Sequence, residues 1–154
     1  MKQIKMQIIS RRNILLLLGG ATGSLLFSNY ALAKPNLALN KIKEISKNTK
    51  VEETDLFLDV PEIAENGNQV KVSFDIDSPM TQDDYVKTVY ILADGNPAPN
   101  VAKFSFSTEM GACSATTRMR LSKTQNVYLL AEYNNSNFAM TKSKVKVTIG
   151  GCGG

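Results

Sequence analysis

Apolar and polar residues alternate with a period of two over much of the chain beyond residue 55. In Val70-Lys71-Val72-Ser73-Phe74-Asp75-Ile76, Val70, Val72, Phe74 and Ile76 share one face and the polar residues the other, which predicts a half-buried strand. It follows Asn66-Gly67, read as a tight turn. The alternation returns in Ala102, Phe104 and Phe106, and in Ala115, Thr117, Met119 and Leu121 opposite Thr116, Arg118 and Arg120. It returns again in Val127, Leu129, Ala131 and Tyr133, and in Val145, Val147 and Ile149 opposite Lys142, Lys144 and Lys146. Residues 85–93 are more uniformly apolar and end at Asp94-Gly95-Asn96-Pro97, which suits a central strand, whereas Leu56 to Val60 is short and stops before Pro61. Over residues 36–50 the spacing of Leu39, Ile42 and Ile45 permits one helix. About seven strands separated by turns predict an all-β fold, an immunoglobulin-like antiparallel β-sandwich with a short N-terminal helix. The core Trp of antibody domains is missing, so that likeness is one of shape. Tyr128 and Leu130 point away from Val127 and Leu129, and both parities are partly apolar in 85–93, which predicts a sheet face or edge that meets a partner.

The net charge of +4 changes little once it is located. Four of the 18 Lys and Arg (Lys2, Lys5, Arg11 and Arg12) lie in residues 1–33 with no Asp or Glu; the other 14 face 14 acidic residues, so the body is neutral and no nucleic-acid surface is implied. Residues 1–33 have the order of an export signal: a basic start, an apolar run from Ile14 to Phe27 broken by glycines, and Ala31-Leu32-Ala33 before Lys34. Ser10-Arg11-Arg12-Asn13-Ile14-Leu15 looks like a twin-arginine signal, whose pathway carries folded proteins to the bacterial periplasm. Cleavage after Ala33 is expected to leave no stable membrane association.

With no histidine in 154 residues, Ser-His-Asp and Cys-His relays and His-ligated metals are excluded. No phosphate-binding glycine loop or zinc pattern occurs, and no cofactor is expected. Asp75, Asp77, Asp83 and Asp84 lack the spacing of a calcium loop and read as a solvated turn. The alternating lysines, Lys142, Lys144 and Lys146, read as protection of a sheet edge rather than an anion site.

The remaining chemistry lies in the tail. Ile149-Gly150-Gly151-Cys152-Gly153-Gly154 takes a strand directly into two glycines, a cysteine and two more glycines. Residues 150–154 are therefore expected to be a flexible arm that neither extends the sheet nor packs on a core, with Gly150, Gly151, Gly153 and Gly154 supplying freedom around Cys152. A thiol near its free pKa of roughly 8.5 is only about 3% ionised at pH 7, too weakly activated for an enzyme acting alone. It suffices for a carrier activated inside another protein's site. The alternative is an exported binding module stapled by a Cys113–Cys152 disulfide, as an even cysteine count allows. Such a staple would immobilise the segment whose composition makes it mobile, which favours a free Cys152 and a buried, inert Cys113. A resting Cys113–Cys152 disulfide that masks the arm is a further option.

The Gly150-Gly151-Cys152-Gly153-Gly154 terminus, the strand Val145-Lys146-Val147-Thr148-Ile149 before it, and the stretches Val60-Pro61-Glu62-Ile63-Ala64-Glu65-Asn66-Gly67, Asp77-Ser78-Pro79-Met80-Thr81 and Tyr85-Val86-Lys87 resemble the SoxY family. These are sulfur-carrier subunits of the bacterial thiosulfate-oxidising system, and Cys113 departs from the family's single-cysteine pattern. The resemblance implies a heterodimer with SoxZ and a non-enzymatic role in which Cys152 carries thiosulfate-derived sulfur. It also implies transient docking to the haem enzyme SoxXA, to SoxB and to a sulfane dehydrogenase. The expected division is a signal over 1–33, the sandwich with its helix over 34–149 and the arm over 150–154.

Overall fold

The computed structural model describes residues 36–151, so the export signal expected over 1–33 and residues 152–154 lie outside the described residues. Helix α1 (Leu37–Ile45) begins at Asn36, whose side-chain oxygen accepts a hydrogen bond from the Leu39 amide at 3.0 Å. The same side chain donates to the Tyr128 hydroxyl at 3.1 Å, which ties the helix start to the sheet beneath. The inner stripe is Ala38, Ile42 and Ile45; Leu39, assigned to that face from spacing, is exposed. The helix stops well before residue 50 because Lys47 and Asn48 take left-handed φ of 53° and 62°.

Among the described residues nine strands follow: β1 (Val51–Glu53), β2 (Phe57–Asp59), β3 (Ile63–Asn66), β4 (Val70–Ile76), β5 (Val86–Ala93), β6 (Asn100–Ser105), β7 (Cys113–Met119), β8 (Gln125–Tyr133) and β9 (Phe138–Ile149). One sheet has the order β1-β9-β8-β5-β6 with β3 also on β9, and the other is β2-β4-β7. The all-β sandwich is thus as the periodicity predicts, and its main pairings are antiparallel. The two strands that alternation did not disclose, β1 and β3, have three and four residues, too few to display a period. Both run parallel to β9, one beside each end.

The core lies between the sheets. Val70, Val72, Phe74 and Ile76 of β4 face Val89, Ile91 and Ala93 of β5 and Val127, Leu129 and Ala131 of β8. Val86 and Val89 both reach this layer although three residues apart, because the β5–β8 register shifts between Val86 and Thr88; a bulge resets the parity. Phe74 meets Phe104 edge-on at a centroid distance of 5.3 Å and Phe106 at 6.2 Å, joining the small sheet to strand β6 and the loop after it.

The opposite parity of β5 and β8 is apolar for an internal reason. Leu92, Tyr128, Leu130 and Phe138 are covered by Ala38 and Ile42 of α1, so the large sheet is buried on both faces under its own helix. The apolar outer residues, taken from sequence as a face awaiting a partner, are therefore no argument for association.

Candidate functional site

The arm's root sits at the end of the sandwich where β4 begins and β7 ends. Strand β3 pairs in parallel with the last turn of β9 (Ala64 with Val147, Asn66 with Ile149), which brings Gly67 beside the chain as it leaves the sheet. The Gly67 amide donates to the Ile149 carbonyl at 2.8 Å, the Leu121 amide to the Gly67 carbonyl at 2.8 Å, and the Gly151 amide to the Leu121 carbonyl at 2.9 Å. Gly151 is thus bonded to the body, and Gly150 lies close to the Ser122 carbonyl. Cys152, Gly153 and Gly154, the other predicted site residues, lie outside the described residues. The tight turn read at Asn66-Gly67 is present, over Gly67 and Asn68 with the Asn68 amide donating to Asn66 Oδ1 at 2.9 Å, although β3 and β4 do not pair across it. Sequence reasoning did not mark Leu121, Ser122 or Gly67 as neighbours of Gly150 and Gly151, since these meet only through sheet order and no local pattern marks them.

Cys113, the second thiol, opens β7 at the other end of the same strand pair, opposite Ile76. It is 1% exposed, and burial, with Asp75 second, pushes its thiol from 9.0 to about 11. It is protonated and sealed, the inert role expected for it. Strand β7 has seven residues, so its ends are about 20 Å apart at roughly 3.3 Å per residue. Gly151 is bonded beyond the Met119 end, and the next Cα is only about 3.8 Å away. A disulfide needs Cα atoms within about 7 Å, and Gly151, the residue before Cys152 in sequence, lies well beyond that distance from Cys113.

A thiol with a raised pKa holds its proton better in the folded state, so its contribution to stability is whole below about pH 9 and falls as pH rises toward 11. Tyr133, Tyr90 and Tyr128 are also raised, each chiefly by burial, and act in the same direction. Comparing denaturant unfolding of the wild type with Cys113→Ala isolates the thiol: between about pH 8.5 and 11 the wild type is expected to lose ~2–3 kcal/mol more than the variant. Parallel pH profiles would contradict this assignment.

Charge is unevenly distributed along the small sheet. Lys71 lies directly opposite Arg118 at the arm end, and Arg120 and Lys123 flank Leu121 and Ser122. Asp75 and Asp77 lie at the Cys113 end. Lys71 pairs with Asp59 at 3.5 Å and Lys142 with Glu53 at 3.4 Å, both exposed and screened by solvent. Strands β1 and β3 cover the outer edge of β9 at both ends, so Lys144 and Lys146 do not mark a fully open edge as read from sequence. Among the described residues, no three Cys, Asp or Glu side chains converge as a metal site requires.

Comparison with known proteins bears on both fold and tail. The structure of the sulfur carrier protein SoxY from Chlorobium limicola f thiosulfatophilum is similar, with a TM-score of 0.60, 26% identity, and coverage of 70% of this chain and 89% of that one. Superoxide reductase (neelaredoxin) from Ignicoccus hospitalis has a TM-score of 0.55 at 14% identity, covering 63% of this chain and 94% of that one. The superoxide reductase from Nanoarchaeum equitans has a TM-score of 0.52 at 8% identity, covering 62% of this chain and 99% of that one. The two reductases show likeness of fold alone. A search of curated proteins finds no match. The family described as sulfur oxidation protein SoxY matches residues 42–152, from within helix α1 to the tail cysteine. By this match and the Chlorobium structure, the chain belongs to the SoxY family and has a carrier role in sulfur oxidation.

Proposed function

We propose that the thiol of Cys152 is the covalent attachment point for thiosulfate-derived sulfur, which the chain holds in the periplasm between visits to separate enzymes. The observation that carries this reading is the fate of the other thiol. Of two cysteines, Cys113 is sealed in the core, while Cys152 is bonded to Gly151 at the rim of the sandwich. The family match extends to that residue.

Loading joins the Cys152 sulfur to the outer sulfur of thiosulfate. One S–S bond forms, the thiol gives up its proton, and two electrons pass to a redox partner, a role the family resemblance assigns to the haem enzyme SoxXA. Hydrolysis by SoxB then adds water at the sulfonate: sulfate leaves with protons, and the outer sulfur remains on Cys152 as a persulfide. A sulfane dehydrogenase would oxidise that sulfur in turn. With no Lys or Arg in residues 149–154 to activate it, the thiol leaves activation to these enzymes, so the chain is a carrier and not a catalyst. Covalent attachment keeps a reactive intermediate from diffusing away and presents it at high effective concentration. Heterodimer formation with SoxZ and twin-arginine export of the folded pair complete the reading.

Mass spectrometry of protein incubated with thiosulfate and its loading enzyme tests it. The adduct is expected on the peptide containing Cys152 and not on the peptide containing Cys113. Loaded protein with its adduct elsewhere would overturn the proposal.

A further inference from the structure

Two segments far apart in sequence, one at Gly67 and the other at Gly150 and Gly151, are in contact. Around Gly67 the three main-chain hydrogen bonds from Gly67 to Ile149, from Leu121 to Gly67 and from Gly151 to Leu121 close a ring. The packing leaves no room for side chains. A Cβ on Gly67 would lie 2.2 Å from the Leu121 carbonyl oxygen and 2.7 Å from the Gly151 nitrogen. One on Gly151 would lie 2.3 Å from the Gly67 carbonyl, and one on Gly150 2.2 Å from the Ser122 oxygen. None of the three has a left-handed φ, so glycine is required here for close approach rather than for backbone freedom.

The far side of this contact is braced. Asn96 donates to the Arg120 carbonyl at 2.9 Å and accepts from the Ser122 amide at 3.0 Å and from Gln125 Nε2 at 2.9 Å. Gln125, itself buried, accepts from the Gly95 amide through Oε1, and the Ser122 hydroxyl donates to the Gly95 carbonyl at 2.8 Å. The segment that holds Gly151 is therefore fixed to the β5–β6 turn before the tail reaches it.

We infer that Gly67 is a positioning residue for the root of the cysteine arm: with Leu121 it clasps Gly151, the residue before Cys152, until the clasp opens. The inference rests on the reading of Cys152 as the cargo thiol. With the clasp closed, the last anchored residue of the tail is Gly151. With it open, the last anchored residue is Ile149, two residues earlier, and an extended chain gains about 7 Å of reach. Deep insertion into a partner's active site therefore requires Gly151 to leave Leu121. The arm is extended by its visit rather than permanently loose.

Amide hydrogen exchange on the full chain, in the presence of its partner subunit, tests this without relying on turnover. In the wild type the amides of Gly151 and Leu121 should be protected. Gly67→Ala should raise exchange at both by roughly tenfold or more while amides of β4 and β7 near Ile76 and Cys113 keep their protection. A nitroxide attached to Cys152 should report a matching gain in mobility. Should Gly67→Ala fail to fold, Gly151→Ala, which alters only the tail side of the contact, decides by the same readout. Wild-type exchange of Gly151 at the rate of an unstructured peptide overturns the inference, as does unchanged protection in the folded variants. Cys152→Ser separates the two claims: it should leave the clasp amides protected whether or not it removes turnover, so failure of the carrier reading and failure of the clasp are distinct results.

Discussion

Cys152→Ser is expected to abolish thiosulfate-dependent turnover in the reconstituted system, by more than ~10³-fold, the scale on which loss of a covalent nucleophile acts. A serine hydroxyl can form neither the S–S bond that receives thiosulfate nor the persulfide left after hydrolysis, and the one other thiol of the chain cannot substitute. Cys113 is enclosed by the core at the far end of β7, with its proton held to about pH 11. The two core clusters are assembled from residues between Ala38 and Val147, so the thermal unfolding midpoint should stay where it is. The pair of measurements is diagnostic. Lost turnover with an unchanged midpoint assigns the chemistry to the tail, whereas retained turnover would remove Cys152 from the mechanism.

The second large effect concerns stability. Phe74→Ala should cost ~3–5 kcal/mol in denaturant titration, the range for removing a buried aromatic ring without full collapse around the gap. Phe74 occupies the centre of β4, and its ring contacts Phe104 and Phe106, so its loss weakens the joint between the two sheets. Phe57→Ala supplies the contrast. That ring is 62% exposed on β2, and its removal should change stability by no more than ~0.5 kcal/mol. Similar costs at the two positions would mean that the core is not organised around Phe74.

Strands with a full period were legible in the sequence because alternation is a local property. Val70 to Ile76 reads directly as β4, and Val127, Leu129 and Ala131 line the core of β8 as their spacing requires. The residue types also restricted the chemistry: no histidine, two thiols, and a glycine-flanked cysteine in a stretch that resembles a known family. Tertiary structure decided what depends on strand order. The apolar outer parity of Leu92, Tyr128 and Leu130 is matched by α1, a pairing that no period of two can announce. Cys113 opens β7 at one end, while Gly151, the residue before Cys152 in sequence, is bonded past the other, an arrangement set by strand order. Gly150 and Gly151 read as tether by composition and pack as structure, since the parallel pairing of β3 with β9 carries Gly67 against them. Glycine suits both mobility and close contact, having no Cβ in either case; only the neighbour supplied by the fold determines which use is made of it.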